Sequence, residues 1–164
     1  MLRYILRPIP ALAALALAAT ASGSASAQAL SERSISIKMA MAVAQSALEA
    51  CTPRVSVAVL DRSGRMKVFL QGDNASPHNI ELSRRKAYTA LTFRRTSLEW
   101  TKRTETQNQG QRMLSDVVAQ QGGVPIFIGD EIIGSVGLSG APNGGQQEED
   151  CANAGIAKIA DQLK

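Results

Sequence analysis

Two β-hairpin patterns constrain the fold of this chain more than any other feature of its sequence. The first begins with VSVAVLD (residues 55–61), a run rich in β-branched residues, and continues through an Arg-Ser-Gly turn into RMKVFLQG. The second consists of VPIFIG (residues 124–129), a Gly-Asp turn and EIIGSVGLSG. Turns this short join antiparallel strands, because a parallel crossover needs a much longer connection. The sequence therefore predicts an antiparallel sheet.

Helical periodicity flanks and separates the two hairpins. In SERSISIKMAMAVAQSALEA (residues 31–50) apolar side chains recur at helical intervals, and Ser31 is the expected N-cap. Residues 79–94 predict a second helix. TSLEW offers a hydroxyl cap before an apolar turn, so a short third helix is expected after Thr96 or Ser97.

The remaining segments complete an α+β pattern. Residues 101–112 have almost nothing to bury and are expected to form a loop or a frayed helix end. EEDCANAGIAKIADQLK closes the chain as a helix with acids in its first turn, where the helix dipole favours them. We predict a central antiparallel sheet of about five strands flanked by helices. The expected order is helix, two strands, one or two helices, two or three strands, helix.

The amino terminus has the pattern of a secretory signal peptide. Two arginines precede the apolar run ALAALALAAT, and small residues end at Ala25-Ser26-Ala27. The apolar run is shorter than the segment of about 20 residues that spans a bilayer. We predict a signal peptide over residues 1–27 and one domain over residues 28–164, exported to the periplasm or secreted, with no membrane span after cleavage.

The charge balance argues against nucleic acid as a partner. The chain has 18 Lys and Arg against 14 Asp and Glu, and two of the arginines leave with the predicted signal. The small excess that remains lacks the basic stripe of a nucleic-acid-binding domain. The local cluster of arginines at positions 84, 85, 94, 95 and 103 suggests instead an anionic small molecule or a solvated helix face.

The two cysteines, Cys51 and Cys151, are expected to form a disulfide, because an exported chain meets an oxidising compartment. In the chain-entropy model a bridge that closes a loop of about 100 residues contributes as much as about 4.7 kcal/mol. Two isolated cysteines with one distant histidine do not match a familiar metal-ligand spacing.

Residues 79–94 carry two unusual side chains. Lys86 lies between Leu82 and Phe93 on the predicted apolar face, where an ammonium must either reach water or meet an anion. His78, the only histidine, stands just before the helix. Neutral imidazole is a good axial ligand for haem iron, and basic residues suit the propionates. The alternative is that His78 is a capping or surface residue.

Four ordered motifs resemble one family. KAYTA with the following Phe93, GGVPI (residues 122–126), IIGSVGLSGAP (residues 132–142) and DCANAGI (residues 150–156) look like the haem-binding GlcG/HbpS-like family, which also supplies the C-terminal domain of PduO-type proteins. The resemblance implies a five-stranded antiparallel sheet between helices and a haem site. In that family the iron ligand is a histidine in some members and a hydroxyl in others. This chain offers His78 for the first kind and the hydroxyls of Thr89, Thr92 and Thr96 for the second.

The leading hypothesis is an exported, non-enzymatic protein that binds haem b as an exchangeable ligand, since the chain lacks a Cys-x-x-Cys-His attachment pattern. His78 is the expected axial ligand. The other ligand-binding residues expected are Lys86 with Arg85 or Arg94 near the propionates, Phe93 and Tyr88 against the macrocycle, and Thr89 as a hydroxyl candidate.

Two other functions stay open: an enzyme of haem breakdown or of small carboxylates, and a structural or sensory oligomer with a vestigial pocket. No nucleophile and base can be placed together from the sequence, so binding is preferred to catalysis. The expected partner is a small, planar, anionic ligand, with a corrinoid or a flavin as the alternatives to haem. Exposed helix faces also predict self-association into a homo-oligomer.

Overall fold

Both predicted hairpins form, and their inner strands pair with each other. In the computed structural model, which describes residues 29–164, β1 (Ser56–Asp61) pairs with β2 (Met66–Gln71), and β3 (Gly123–Ile128) pairs with β4 (Glu131–Ser139). The strand order is β2-β1-β4-β3, with every pair antiparallel. The α+β fold class and the antiparallel sheet are confirmed. The predicted signal peptide lies outside the described residues.

The helices follow the predicted order around these strands. They are α1 (Ile37–Glu49), α2 (Asn79–Phe93), α3 (Ser97–Thr106) and α4 (Gly145–Ala157), with short 3-10 turns at Gln109–Met113 and Ala160–Gln162. None of the helices within residues 29–164 combines the length and the apolar character needed to cross a membrane.

The expected number of about five strands is wrong, because the described residues form four. The segment before β3 runs alongside α2 without joining the sheet. Its Val118 N–H donates to Thr89 Oγ1 at 2.9 Å rather than to a neighbouring strand. The backbone N–H of Val118 is therefore satisfied by a side-chain hydroxyl, whereas in a fifth strand it would have bonded to the backbone of a neighbouring strand.

One expected helix boundary is also wrong. Ser36, not Ser31, caps α1, and its Oγ accepts from the backbone N–H of Met39 at 3.2 Å. The chain before Ser36 is held in an extended form, since Ile35 N–H donates to Ile133 O at 2.8 Å and the Ile35 side chain is buried. Ile35 fits the helical apolar period but belongs to the sheet side of the core.

The third helix extends to Thr106, into residues that we expected to form a loop or a frayed helix end. Thr96 and Glu99 form a capping box at its start, and Thr104 Oγ1 donates to Trp100 O at 3.0 Å. Trp100 is almost completely buried and stacks on Phe93, with 4.8 Å between ring centroids. One buried aromatic side chain thus anchors a helix whose other residues are mostly polar.

The sheet lies between two helical layers. Helices α1 and α4 pack against each other and cover one face, where Val57, Val59, Val136 and Leu138 contribute to the larger core cluster. Helix α2 covers the other face, and α3 contacts both α2 and β3. Gly137 lets α2 approach closely, because a Cβ there would collide with the carbonyl oxygen of Ser83.

The predicted disulfide links the two helices of the first layer. Cys51 follows α1 and Cys151 lies within α4, with 5.5 Å between their Cα atoms. The bridge closes a loop across 100 positions of the sequence. It therefore connects the first helix of the fold directly to the last.

Candidate functional site

A cleft of about 350 Å³ opens where the starts of α2 and α4 meet the end of β4. Its lining includes His78 and Lys86 from the α2 region, Ser139 from β4 and Glu148 from α4. Gln121 reaches it from the segment before β3. This volume lies near the lower end of the range for small-molecule sites, about 300–1,000 Å³.

A buried ion pair forms the floor of the cleft. Lys86 Nζ lies 2.5 Å from Glu148 Oε2, and the two side chains are only 4% and 5% exposed. The other carboxylate oxygen, Oε1, accepts from the backbone N–H groups of Gly140 at 2.8 Å and Ala141 at 3.3 Å. Every oxygen of Glu148 therefore has a donor, as a buried carboxylate requires.

The sequence predicted that Lys86 either reaches water or meets an anion, and it did not identify Glu148 as that anion. The two residues are 62 positions apart, and no local pattern reports such a pairing. The acids at the start of the last helix were the available signal, and we explained them by the helix dipole alone. The structure shows that one of them also holds the buried ammonium.

The glycines of the GGVPI motif make room for this pair. Gly122 has a φ of +122°, and a Cβ at that position would lie 2.5 Å from Glu148 Oε2 and 3.1 Å from Lys86 Cδ. A Cβ on Gly123 would collide with the carbonyl oxygen of Lys86. These two glycines therefore allow a close approach to the ion pair.

His78 stands at the rim of the same cleft. It occupies the N-cap position of α2, is exposed, and makes no side-chain capping hydrogen bond. The adjacent Asn79 is buried, and its Oδ1 accepts from Ser139 Oγ at 3.0 Å. Within residues 29–164 no group of three or more His, Cys, Asp or Glu side chains is arranged to hold a metal ion. His78 is thus a single imidazole beside a polar cleft.

Tyr88 and Thr89 do not line this cleft. Tyr88 borders a separate groove of about 160 Å³ that includes Thr92 and residues 114–117. Thr89 is buried and donates from Oγ1 to Arg85 O at 2.9 Å. Thr89 was expected as a hydroxyl ligand candidate, and in the structure its Oγ1 accepts from Val118 N–H at 2.9 Å and so anchors the segment before β3.

The other three predicted ligand residues also lie outside the cleft. Phe93 packs on Trp100. Arg94 donates to Asp130 O at 2.6 Å, with its guanidinium 5.8 Å from the ring centroid of Phe127. Arg85 Nη2 reaches Ser115 O at 3.4 Å. Of the seven predicted haem residues, the structure brings only His78 and Lys86 together at the cleft.

A second buried glutamate stands next to the cleft. Glu149 is 8% exposed, and burial raises the pKa of its carboxyl group, with a smaller contribution from the nearby charges of Glu99 and Asp150. Gln121 Nε2 donates to Glu149 Oε2 at 2.8 Å, which acts in the opposite direction. The other oxygen, Oε1, is buried without a hydrogen-bond partner among the described residues.

Comparisons with known proteins all indicate the same family. Residues 34–157 match the family model described as haem degrading protein HbpS-like. Protein GlcG of Escherichia coli strain K12 is 32% identical over 88 residues, which cover 52% of this chain and 63% of GlcG. The match therefore spans less than two thirds of the curated relative.

Solved structures share the architecture. A double mutant of HbpS from Streptomyces reticuli superposes with a TM-score of 0.75 and 31% identity, covering 92% of this chain and 99% of HbpS. The PduOC:haem complex superposes with a TM-score of 0.70 at 23% identity, covering 77% of this chain and 96% of PduOC, and shows likeness of fold. Since the family model covers most of the chain and HbpS matches it almost end to end, this protein belongs to the HbpS-like family.

Proposed function

We propose that this protein is an exported protein that binds haem non-covalently at the cleft between α2 and α4. The observation that carries the proposal is that His78, the only histidine, and the buried Lys86 line the same cleft. The family description and the haem complex of PduOC support the choice of ligand. Export rests on the signal-peptide pattern of residues 1–27.

His78 is suited to be the axial ligand because it is exposed at the rim and its side chain is not used as a helix cap. A neutral imidazole nitrogen can reach an iron there without the removal of an internal hydrogen bond. Haem bound in this way would supply its own iron and redox chemistry.

Lys86 has a smaller part in this proposal than the sequence suggested. Its single hydrogen bond within the described residues goes to Glu148, which largely neutralises its charge. An ammonium has three donors, so Lys86 can still donate to a propionate while it keeps Glu148. Gln121 also lines the cleft, but its Nε2 already donates to Gln146 Oε1 at 3.1 Å and to Glu149 Oε2 at 2.8 Å.

Titration of the purified protein with hemin tests the proposal. We expect a Soret band that saturates at one equivalent per chain, and a lower affinity in His78→Ala. The affinity for hemin should fall at least about tenfold, because metal affinity falls by that factor even when a residue that only hydrogen-bonds to a metal ligand is removed. Asn153→Ala, exposed on α4 away from the cleft, is the matched control. Equal affinity of the two variants would remove His78 from the role, and no saturable band would refute haem binding.

Breakdown of the bound haem is the second candidate, because the family description names that activity. The test is loss of the Soret band with release of iron under peroxide or a reductant. A rate above that of free hemin would favour catalysis. A rate equal to that of free hemin would leave a binding protein.

A further inference from the structure

A second cleft, of about 320 Å³, opens beside the disulfide. It is formed by the end of α1, the turn after it and the loop that follows β2, with Cys51 in its lining. Cys151, the other half of the bridge, is not part of this lining and is 4% exposed within the core cluster. The two cysteines therefore differ in access: Cys51 is partly exposed at the cleft, whereas Cys151 is buried in the core cluster.

We propose that Cys51 is a site of thiol–disulfide exchange in the folded protein. A small external thiolate attacks Cys51 Sγ, and a new sulfur–sulfur bond forms between the two. The Cys51–Cys151 bond breaks, and its electron pair goes to Cys151 Sγ, which takes up a proton. A second thiol that attacks the external sulfur releases a small disulfide and leaves Cys51 reduced, so that two thiols are oxidised for each bridge reduced.

Access decides which sulfur is attacked. Exchange requires contact between the thiolate and the sulfur that it attacks, so a covered sulfur reacts slowly. Cys51 lines the cleft, so an external thiolate can approach it from there. Cys151 is the leaving group, and it lies on the buried side of the bridge. The expected mixed disulfide is thus on Cys51 and not on Cys151.

The charge of the cleft selects among thiols. Glu49 and Asp73 are the two charged residues of its lining, and both are acidic. A thiol that carries an additional carboxylate is repelled, whereas an ammonium group on the same small molecule is attracted. The cleft therefore favours small cationic thiols, such as cysteamine, over anionic ones, such as mercaptoacetate.

Adduct mapping on the native, oxidised protein tests this proposal. The protein is incubated with excess cysteamine, quenched in acid and alkylated, and its peptides are analysed by mass spectrometry. We expect the cysteamine adduct on Cys51, the alkyl group on Cys151, and a rate proportional to thiol concentration. An adduct mainly on Cys151, or spread equally, would overturn the proposal. A rate that does not depend on thiol concentration would also overturn it, because the bridge would then react only after global unfolding.

A charge-reduced variant tests the preferred class of thiol. For each protein we take the ratio of the exchange rate with cysteamine to the rate with mercaptoacetate. This ratio is then compared between the natural protein and the double variant Glu49→Gln with Asp73→Asn. The comparison cancels the intrinsic reactivity of each reagent. We expect the ratio to be at least about threefold larger in the natural protein at low salt, and the difference to shrink as salt screens the charges. Equal ratios would overturn the assigned selectivity. Neither experiment involves haem, so both outcomes are independent of the proposed function.

Discussion

Lys86 Nζ and Glu148 Oε2 lie 2.5 Å apart, and this contact joins α2 to α4 across the end of β4. Three of the four motifs that carry the family resemblance meet here. Lys86 begins the first motif and Gly122 begins the second. Gly140 and Ala141 lie near the end of the third, and their backbone N–H groups donate to the Glu148 carboxylate. Glu148 stands two residues before the fourth. The motifs therefore describe one buried ionic site that borders the cleft.

Loss of one partner from this pair should destabilise the fold strongly. Glu148→Gln leaves the Lys86 ammonium buried without a counter-charge, which costs about 3–5 kcal/mol in comparable pairs. The free energy of unfolding can be measured in urea from the fluorescence of Trp100, the only tryptophan. Asp161→Asn is the control, because it removes an exposed ion pair, with Lys164, that contributes little.

The same pair can also be neutralised completely. Lys86→Met combined with Glu148→Gln removes both charges and should recover much of the stability lost in the single variant. A Glu148→Gln protein as stable as the Asp161→Asn control would contradict a structural role for the pair. A double variant less stable than the single one would contradict the electrostatic explanation of the loss.

Gly122 should tolerate a methyl group less well than another glycine of positive φ. A Cβ on Gly122 meets Glu148 and Lys86, whereas a Cβ on Gly129, at φ +56°, meets no atom within 4 Å. Gly129→Ala therefore reports the strain of the ordinary left-handed backbone alone. Gly122→Ala adds the collision, which includes the carbonyl oxygen of Leu138, and a φ of +122° that favours glycine more strongly. We expect Gly122→Ala to cost at least about 1 kcal/mol more, as overpacking does. Equal losses in urea unfolding would show that the ion pair moves aside freely.

The sequence was sufficient for the elements whose signals are local. Short turns identified both hairpins, and the helical period placed Lys86 on a buried face. Ile35 fits that period as well but is held extended by its backbone bond to Ile133. The partner of Lys86 and the cleft depend on packing between distant segments. A single sequence carries no local signal for such a contact, so Glu148 was found only in the structure.

The disulfide should account for a large share of the stability of the oxidised protein. Cys51→Ser combined with Cys151→Ser opens a loop across 100 positions, which corresponds to a loss of about 2–5 kcal/mol. Removal of both cysteines avoids a leftover thiol that could react elsewhere. Urea unfolding of the oxidised natural protein and of the double variant measures the loss. The reduced natural protein should resemble the variant, and a reduced protein as stable as the oxidised one would contradict the prediction.

Glu149 should make the stability depend on pH in a specific direction. Burial raises the pKa of its carboxyl group above the ordinary 4.5, so between these two values the folded chain binds more protons than the unfolded chain. Its contribution to stability is therefore complete below the ordinary pKa and is lost as the pH rises through the raised one. We expect Glu149→Gln to be more stable than the natural protein at neutral pH, with the gain shrinking toward pH 4. Urea unfolding at a series of pH values measures this gain, and Glu105→Gln, which changes an exposed carboxylate, is the control. A gain that is constant across the series, or larger in acid, would show that the carboxylate is solvated in the folded protein.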